Sequence, residues 1–166
     1  MTEQLIKLEL KINIKFKDQN LLKKSLIHKS HDNINNNEKL EFLGDRVLGL
    51  VLANTLLKIY PQEKEGVIDK KFANLVNKKT CLLIAKKIEL RKYMTTGNSY
   101  KGLSRSDDKI IGDGLEALLG AIYLDQGITA AEKFILTFWN DYLDKSSITK
   151  IDAKTQLQEY SLKKYK

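Results

Sequence analysis

Carboxylates recur at helical spacing within an otherwise apolar segment, NEKLEFLGDRVLGL, and they are the first candidates for chemistry. Glu38, Glu41 and Asp45 fall on one side of a helix, within an arc of roughly 60°. Like charges one turn apart repel one another, so a cation over this face would stabilise the helix. A solvated helix face gives the same pattern, and the macrodipole at a helix N-terminus explains Glu38 but leaves Asp45 unexplained. Asn36 or Asn37 is the predicted N-cap.

A second acidic pair lies in a still more apolar segment, IIGDGLEALLGAIYLDQG. Asp113 and Glu116 are three residues apart and therefore share one face of a helix. Ala117 and Gly120 are small residues beside them, which would let another helix approach closely. The rest of this segment is predicted to be buried through Leu115, Leu118, Leu119 and Ile122.

If the two helices pack face to face, four carboxylates converge: Glu41, Asp45, Asp113 and Glu116. Ionised carboxylates that are buried must be paired or must bind a metal. A cluster of oxygen donors without histidine suits Mg²⁺, with Mn²⁺ as a substitute, rather than zinc. Such a pocket suits phosphodiester hydrolysis, because lysines hold the phosphate backbone while metal ions activate water.

The composition is consistent with an anionic partner. The chain of 166 residues carries 29 Lys and Arg against 21 Asp and Glu, a formal charge of +8, which favours nucleic acid or a membrane surface. A codon bias towards Lys, Asn and Ile would give the same excess. The single cysteine, Cys81, excludes an internal disulfide framework and is predicted to be buried. The N-terminus does not resemble a signal peptide and no apolar run would span a bilayer, so we expect a cytoplasmic protein without membrane contact.

Helical periodicity predicts an all-α domain. Helices are expected at about 2–10, 20–28, 37–59, 109–125 and 129–143, with two more between 63 and 90 that separate near Val76–Asn77. The alternating segment Lys11–Lys17 has no partner strand and is predicted to be an extended connection, and residues 95–108 form a Gly/Ser-rich loop. The third helix is expected to bury Leu40, Leu43, Val47, Leu50 and Val51.

At these residues the chain resembles the ribonuclease III family. NEKLEFLGDRVL resembles the signature segment of that family, DKIIGDGLEALLGAIYLDQG resembles its second acidic motif, and LLKKSLIHKS is similar to a third segment. The resemblance covers about residues 3–145. It implies a helical-bundle endonuclease that forms a homodimer and cuts double-stranded RNA with Mg²⁺, leaving 5′-phosphate and 3′-hydroxyl ends, in rRNA and mRNA processing.

The resemblance also implies individual roles for the acids. Asp45 and Glu116 would be central to catalysis, and Glu38 would engage RNA near the cleavage site. Glu65 would contribute from the edge of the site, although an acid near a helix start is commonly a dipole partner. The implied metal ligands are Glu41, Asp45, Asp113 and Glu116.

Two residues beside these acids leave alternatives open. Phe42 matches an aromatic that packs across the dimer interface in the family, but an ordinary core phenylalanine would fit the sequence equally well. Arg46 stands where the family usually has a small residue. It either pairs with a neighbouring acid or reaches an RNA phosphate.

The resemblance divides the chain into a catalytic domain at 1–145, a linker at 146–151 and a tail at 152–166. The tail resembles the opening of the first helix of a double-stranded-RNA-binding domain, truncated after about one helix. The alternative function is a non-cleaving scaffold that binds double-stranded RNA, but this chain keeps all four acids. A phosphohydrolase reading of His31–Asp32 requires a distant second histidine, and the only other one is His28.

Overall fold

The fold is a bundle of α-helices, seen in a computed structural model that describes residues 2–97, 105–146 and 161. Within those residues the only β-pairing is an isolated bridge between Ile27 and Thr95. A short 3₁₀ turn, Leu90–Lys92, follows the fifth helix. The all-α prediction is confirmed. The helices are α1 Thr2–Ile12, α2 Gln19–Ser25, α3 Glu38–Ile59, α4 Glu65–Val76, α5 Lys78–Lys87, α6 Arg105–Gln126 and α7 Ile128–Lys145.

The two longest helices, α3 and α6, cross with their backbones in contact. A Cβ atom at Gly44 would lie 1.7 Å from the carbonyl oxygen of Glu116, and one at Gly120 would lie 2.1 Å from the carbonyl oxygen of Leu40. No side chain fits at such distances, so both positions require glycine. The predicted close approach at Gly120 is confirmed, and it brings the acidic faces of the two helices together.

The hydrophobic core surrounds α6. Leu115, Leu118 and Leu119 are fully buried, as the sequence predicted, and so is Trp139 of α7. The indole Nε1 of Trp139 donates a hydrogen bond of 3.0 Å to the carbonyl oxygen of Leu75, which ties α7 to α4. Each large apolar side chain buried in this way stabilises the fold by roughly 1.5–3 kcal/mol. The acids are therefore carried by helices that are anchored in a packed core.

Local contacts explain where the helices begin and end. The side-chain oxygen of Asn36 accepts a hydrogen bond of 3.0 Å from the backbone N–H of Glu38, so Asn36 caps α3. The Asn37 amide instead donates to the carbonyl oxygen of Ser25. The second helix ends at Ser25, earlier than predicted, because the chain then enters the bridge to Thr95.

Two further predictions need correction. Leu50 was assigned to the core but is 63% exposed, because it lies about 80° around α3 from Leu40, beyond the buried stripe. The sixth helix begins at Arg105 rather than near Lys109. The tail assigned to 152–166 lies outside the described residues apart from residue 161. None of the helices in the described part of the chain has the length and apolar character needed to cross a membrane.

Candidate active site

Three carboxylates from the two crossing helices converge. One carboxylate oxygen each from Glu41, Asp113 and Glu116 lies within 4.8 Å of the others, and all three residues are half-buried. The first comes from α3 and the other two from α6, so the glycine-mediated crossing sets their separation. Oxygen donors at this spacing fit a hard divalent cation such as Mg²⁺ or Mn²⁺.

Asp45, the fourth predicted ligand, stands beside this cluster rather than in it. It lines a pocket of about 320 Å³ together with Glu38, Glu41 and Glu116, which we call the acidic pocket. Its carboxylate accepts a hydrogen bond of 2.6 Å from the guanidinium of Arg46. Of the two roles that the sequence left open for Arg46, the pairing with a neighbouring acid is the one observed.

The acids of the pocket are electrostatically crowded. Burial raises the pKa of Glu116 to about 7, with further increases from the charges of Asp45, Asp113 and Glu41, while Lys78 lowers it. Burial, followed by the charge of Asp113, also raises the pKa of Glu41. Each shift means that negative charge is disfavoured here unless a cation compensates it. The protein therefore holds a site that a divalent cation would stabilise.

Cys81 lies beneath the acidic pocket. Its side chain on α5 is fully buried, as predicted. Burial raises the pKa of the thiol to about 12, and the charges of Glu116 and Asp45 contribute to the increase. The thiol is therefore protonated at neutral pH and packs as a small apolar group.

Two lysines, Lys29 and Lys109, lie beside the acids. The sequence analysis did not single them out. Lys29 pairs with Glu38 at 2.7 Å, and Lys109 lies 3.3 Å from a carboxylate oxygen of Asp113. Both lysines line a second pocket of about 240 Å³, together with His28. The available signal was the spacing of four residues between Lys109 and Asp113, which places the two side chains on neighbouring turns.

Comparisons with known proteins agree with this arrangement. A ribonuclease-III-like family model matches residues 18–143. Ribonuclease 3 of Pelagibacter ubique is 62% identical over 161 residues, which cover 97% of this chain and 72% of that protein. The chain belongs to the ribonuclease III family. Ribonuclease 3 of Leptospira interrogans is 41% identical, over 96% of this chain and 68% of that protein.

A solved structure gives the same result for the fold. The nuclease domain of ribonuclease III from Campylobacter jejuni superposes with a TM-score of 0.77 at 36% identity, covering 82% of this chain and 96% of that one. That domain is described as flexible in a region involved in dimer formation. This ribonuclease III chain is therefore an endoribonuclease with the helical bundle of its family.

Glu65 does not reach the carboxylate cluster of this ribonuclease III fold within one chain. It lies at the start of α4 and lines a different surface hollow of about 350 Å³. The walls of this hollow are Ala53, Leu57, Ile68 and Phe72, and its rim carries Glu63, Glu65 and Asp69. We call it the apolar hollow.

The raised pKa of Glu116 predicts a pH dependence of stability when divalent metal is removed. A carboxyl group whose pKa is higher in the folded chain binds its proton more tightly there, so stability falls as pH rises from the ordinary carboxyl pKa towards 7. His28, whose pKa is lowered mainly by burial, acts in the opposite direction below pH 6.5. We therefore expect the melting temperature of Glu116→Gln, relative to the native chain, to increase from about pH 5 to about pH 8.

The measurement is thermal unfolding of both proteins in a chelator across that range. Added Mg²⁺ should stabilise the native chain more than the variant, and increasingly so at higher pH, because cation binding requires the deprotonated carboxylate. A difference between the two melting temperatures that does not change with pH would show that Glu116 titrates normally.

Proposed function

We propose that this ribonuclease III domain hydrolyses double-stranded RNA at the α3–α6 carboxylates with Mg²⁺, or Mn²⁺ in its place. The products would carry 5′-phosphate and 3′-hydroxyl ends, and the cellular role would be rRNA and mRNA processing in the cytoplasm. The observation that carries the proposal is the convergence of Glu41, Asp113 and Glu116 within 4.8 Å. The ribonuclease 3 relatives support the same activity.

The acids have different roles in the proposed reaction. Glu41, Asp45, Asp113 and Glu116 would hold the metal ions, with Asp45 and Glu116 closest to the chemistry. Bound metal supplies an activated water and stabilises the leaving oxygen. Glu116 must lose the proton that its environment favours, so site loading and proton release are coupled.

The flanking cations position the substrate. Lys29 and Lys109 are each more than half exposed, and Lys109 contacts Asp113, one of the proposed metal ligands. With Asp113 serving as a metal ligand, the ammonium group of Lys109 would be available for an RNA phosphate. Glu38, which is paired with Lys29, would lie at the edge of the bound strand.

The substrate class can be tested by comparing the cleavage of different nucleic acids. The A-form helix of RNA differs from duplex DNA in groove shape and in its 2′-hydroxyl groups, and these features identify double-stranded RNA to proteins. With Mg²⁺ present, an RNA duplex should be cut, while a DNA duplex and a single RNA strand of the same sequence should remain intact. Equal cleavage of the single strand would contradict the proposed substrate. RNA binding without any cleavage would favour the scaffold alternative.

We also propose that the domain acts as a homodimer through α3. Phe42 is 63% exposed, so it does not belong to the core, and Leu50 and Leu57 are also more than half exposed. Together with Ala53 they form an apolar stripe along one side of α3. The apolar hollow lies beside the C-terminal half of the same stripe. The C. jejuni domain is described as having a region involved in dimer formation, which supports a dimer for this fold.

A two-fold axis would make this surface self-complementary. Phe42 and Ala53 face the same side of α3 within about 20°, and they are separated by roughly 16 Å along the helix. If two copies of α3 run antiparallel with the axis near Gly49, each Phe42 enters the apolar hollow of the other copy. The same arrangement moves Glu65 of one copy towards the Glu38 end of the other, which is how Glu65 would reach the edge of the site.

Phe42→Ala is therefore expected to weaken the dimer. Loss of an aromatic anchor from a pocket typically costs about 2 kcal/mol or more, roughly a thirtyfold increase in the dissociation constant. Sedimentation velocity over a concentration series measures this constant. Leu124→Ala, at an exposed apolar residue on α6, is the matched control and should leave it unchanged. Equal dissociation constants for Phe42→Ala and the native chain would contradict the interface.

The proposed domain division has one structural support. The seventh helix ends at Lys145, which agrees with a catalytic domain at 1–145 followed by a linker at 146–151. The tail at 152–166 is proposed to be the start of a double-stranded-RNA-binding domain, on the resemblance of its sequence alone.

A further inference from the structure

Arg46 and Phe42 form one exposed unit on α3. The Arg46 guanidinium carbon lies 4.2 Å from the centre of the Phe42 ring, and the side chain is 59% exposed. One of its nitrogens contacts both Asp45 and the carbonyl oxygen of Phe42. The guanidinium is thus held over the ring that we propose enters the apolar hollow. We call this unit the Phe42–Arg46 knob.

The rim of the apolar hollow is negatively charged, opposite in sign to Arg46. Glu65 and Asp69 lie one turn apart on α4, and both are exposed. Neither has an ion-pair partner among the residues that the structure describes, whereas the third rim acid, Glu63, lies 3.6 Å from the buried ammonium of Lys71. Two like charges at this spacing repel each other. Within the described part of the chain, Glu65 and Asp69 are therefore left without a paired cation.

We propose that Arg46 of one copy forms an ion pair with Asp69 of a second copy when the two chains associate. This inference rests on the homodimer proposed above and adds a charged contact to its apolar one. Arg46 lies one turn from Phe42 towards the two-fold axis, and so it faces the part of the hollow nearest that axis. This part is where Phe72 packs against Gly49 of its own chain, at 3.5 Å from a Cβ built there. Asp69 precedes Phe72 by one turn.

The chemistry of arginine suits this position. A guanidinium has five N–H donors in a planar fork, so it can keep its contact with Asp45 and also bind a carboxylate from the second copy. Because a two-fold interface repeats every contact, the pair would form twice. Each Asp45 would then be linked through Arg46 to the partner chain, which makes the geometry of the acidic pocket sensitive to assembly.

A charge swap tests the pair. Arg46→Glu and Asp69→Arg, made separately, should each raise the dissociation constant of the dimer roughly tenfold or more, and the double variant should recover most of the loss. Lys133→Glu, at an exposed residue of α7, is the control for the change in net charge and should have little effect. Melting temperatures establish that each variant folds. Single-variant losses that simply add in the double variant would overturn the inference.

A second measurement does not depend on the double variant. The dissociation constant of the native dimer should rise with salt, and this dependence should be weaker in Arg46→Met, which keeps an unbranched side chain without the charge. Equal salt dependence would overturn the ion pair. The ion pair would also be overturned if Arg46→Glu lost RNA affinity without a change in the dissociation constant of the dimer, because Arg46 would then bind an RNA phosphate. Failure of Phe42→Ala to weaken the dimer would instead remove the proposed interface itself.

Discussion

Replacing Glu116 with glutamine is expected to lower the rate of duplex RNA cleavage by roughly a thousandfold or more. Glu116 has the largest pKa shift among the acids of the pocket, and one of its carboxylate oxygens lies within 4.8 Å of oxygens of Glu41 and Asp113. Glutamine keeps the size of the side chain but cannot provide an anionic ligand. Single-turnover cleavage at saturating protein measures the chemical step separately from binding.

The same variant should retain its fold and its dimer, because no carboxylate repulsion is added. Glu132→Gln on α7 removes one negative charge away from the pocket and is the control. It should cleave at nearly the native rate. If Glu116→Gln kept cleavage within tenfold of the native rate, the assignment of Glu116 as a metal ligand would be wrong.

Gly44→Ala is expected to produce the largest loss of stability. The new methyl group would lie 1.7 Å from the carbonyl oxygen of Glu116, so α3 and α6 would have to move apart along a fully packed core. Overpacking of this kind typically costs 1–3 kcal/mol and sometimes more. Here the clash is with backbone atoms, so no flexible side chain can move aside to relieve it. We expect a loss of about 3 kcal/mol, together with loss of cleavage, because the same separation sets the distance between Glu41 and Glu116.

Gly66→Ala is the matched control, since a Cβ at Gly66 would meet nothing within 4 Å. Alanine is the better helix former by up to about 1 kcal/mol, so this variant should be neutral or slightly more stable. Urea unfolding of both variants gives the comparison. A Gly44→Ala protein as stable as Gly66→Ala would mean that the crossing of the two helices is looser than the structure shows.

The sequence was sufficient for the features that depend on one helix at a time. Periodicity predicted α3 to within one residue at its start, and it predicted the burial of Leu118 and Leu119. The small residue Gly120 pointed to a close helix crossing, which the structure confirms. The two acidic segments together pointed to the ribonuclease III family, which the relatives confirm.

Features that depend on what packs against a helix were not predictable in the same way. Phe42 and Leu50 are as apolar as the buried residues of α3, and they are exposed because no other helix among the described residues covers that side. Asp45 shares the acidic arc, yet it lies beside the cluster, where its carboxylate accepts a hydrogen bond from Arg46. Glu65 was expected at the edge of the site, but within one chain it lines a separate hollow.

The most direct test of the metal-dependent site is cleavage of an RNA duplex by this chain at low salt, with Mg²⁺ and with a chelator, followed by mapping of the ends on both strands. We predict cuts only with Mg²⁺, staggered between the strands, with a 5′-phosphate and a 3′-hydroxyl at each break. Cleavage that persists in the chelator, or that leaves a 2′,3′-cyclic phosphate, would contradict the account. In that case the α3–α6 carboxylates would not be the catalytic site.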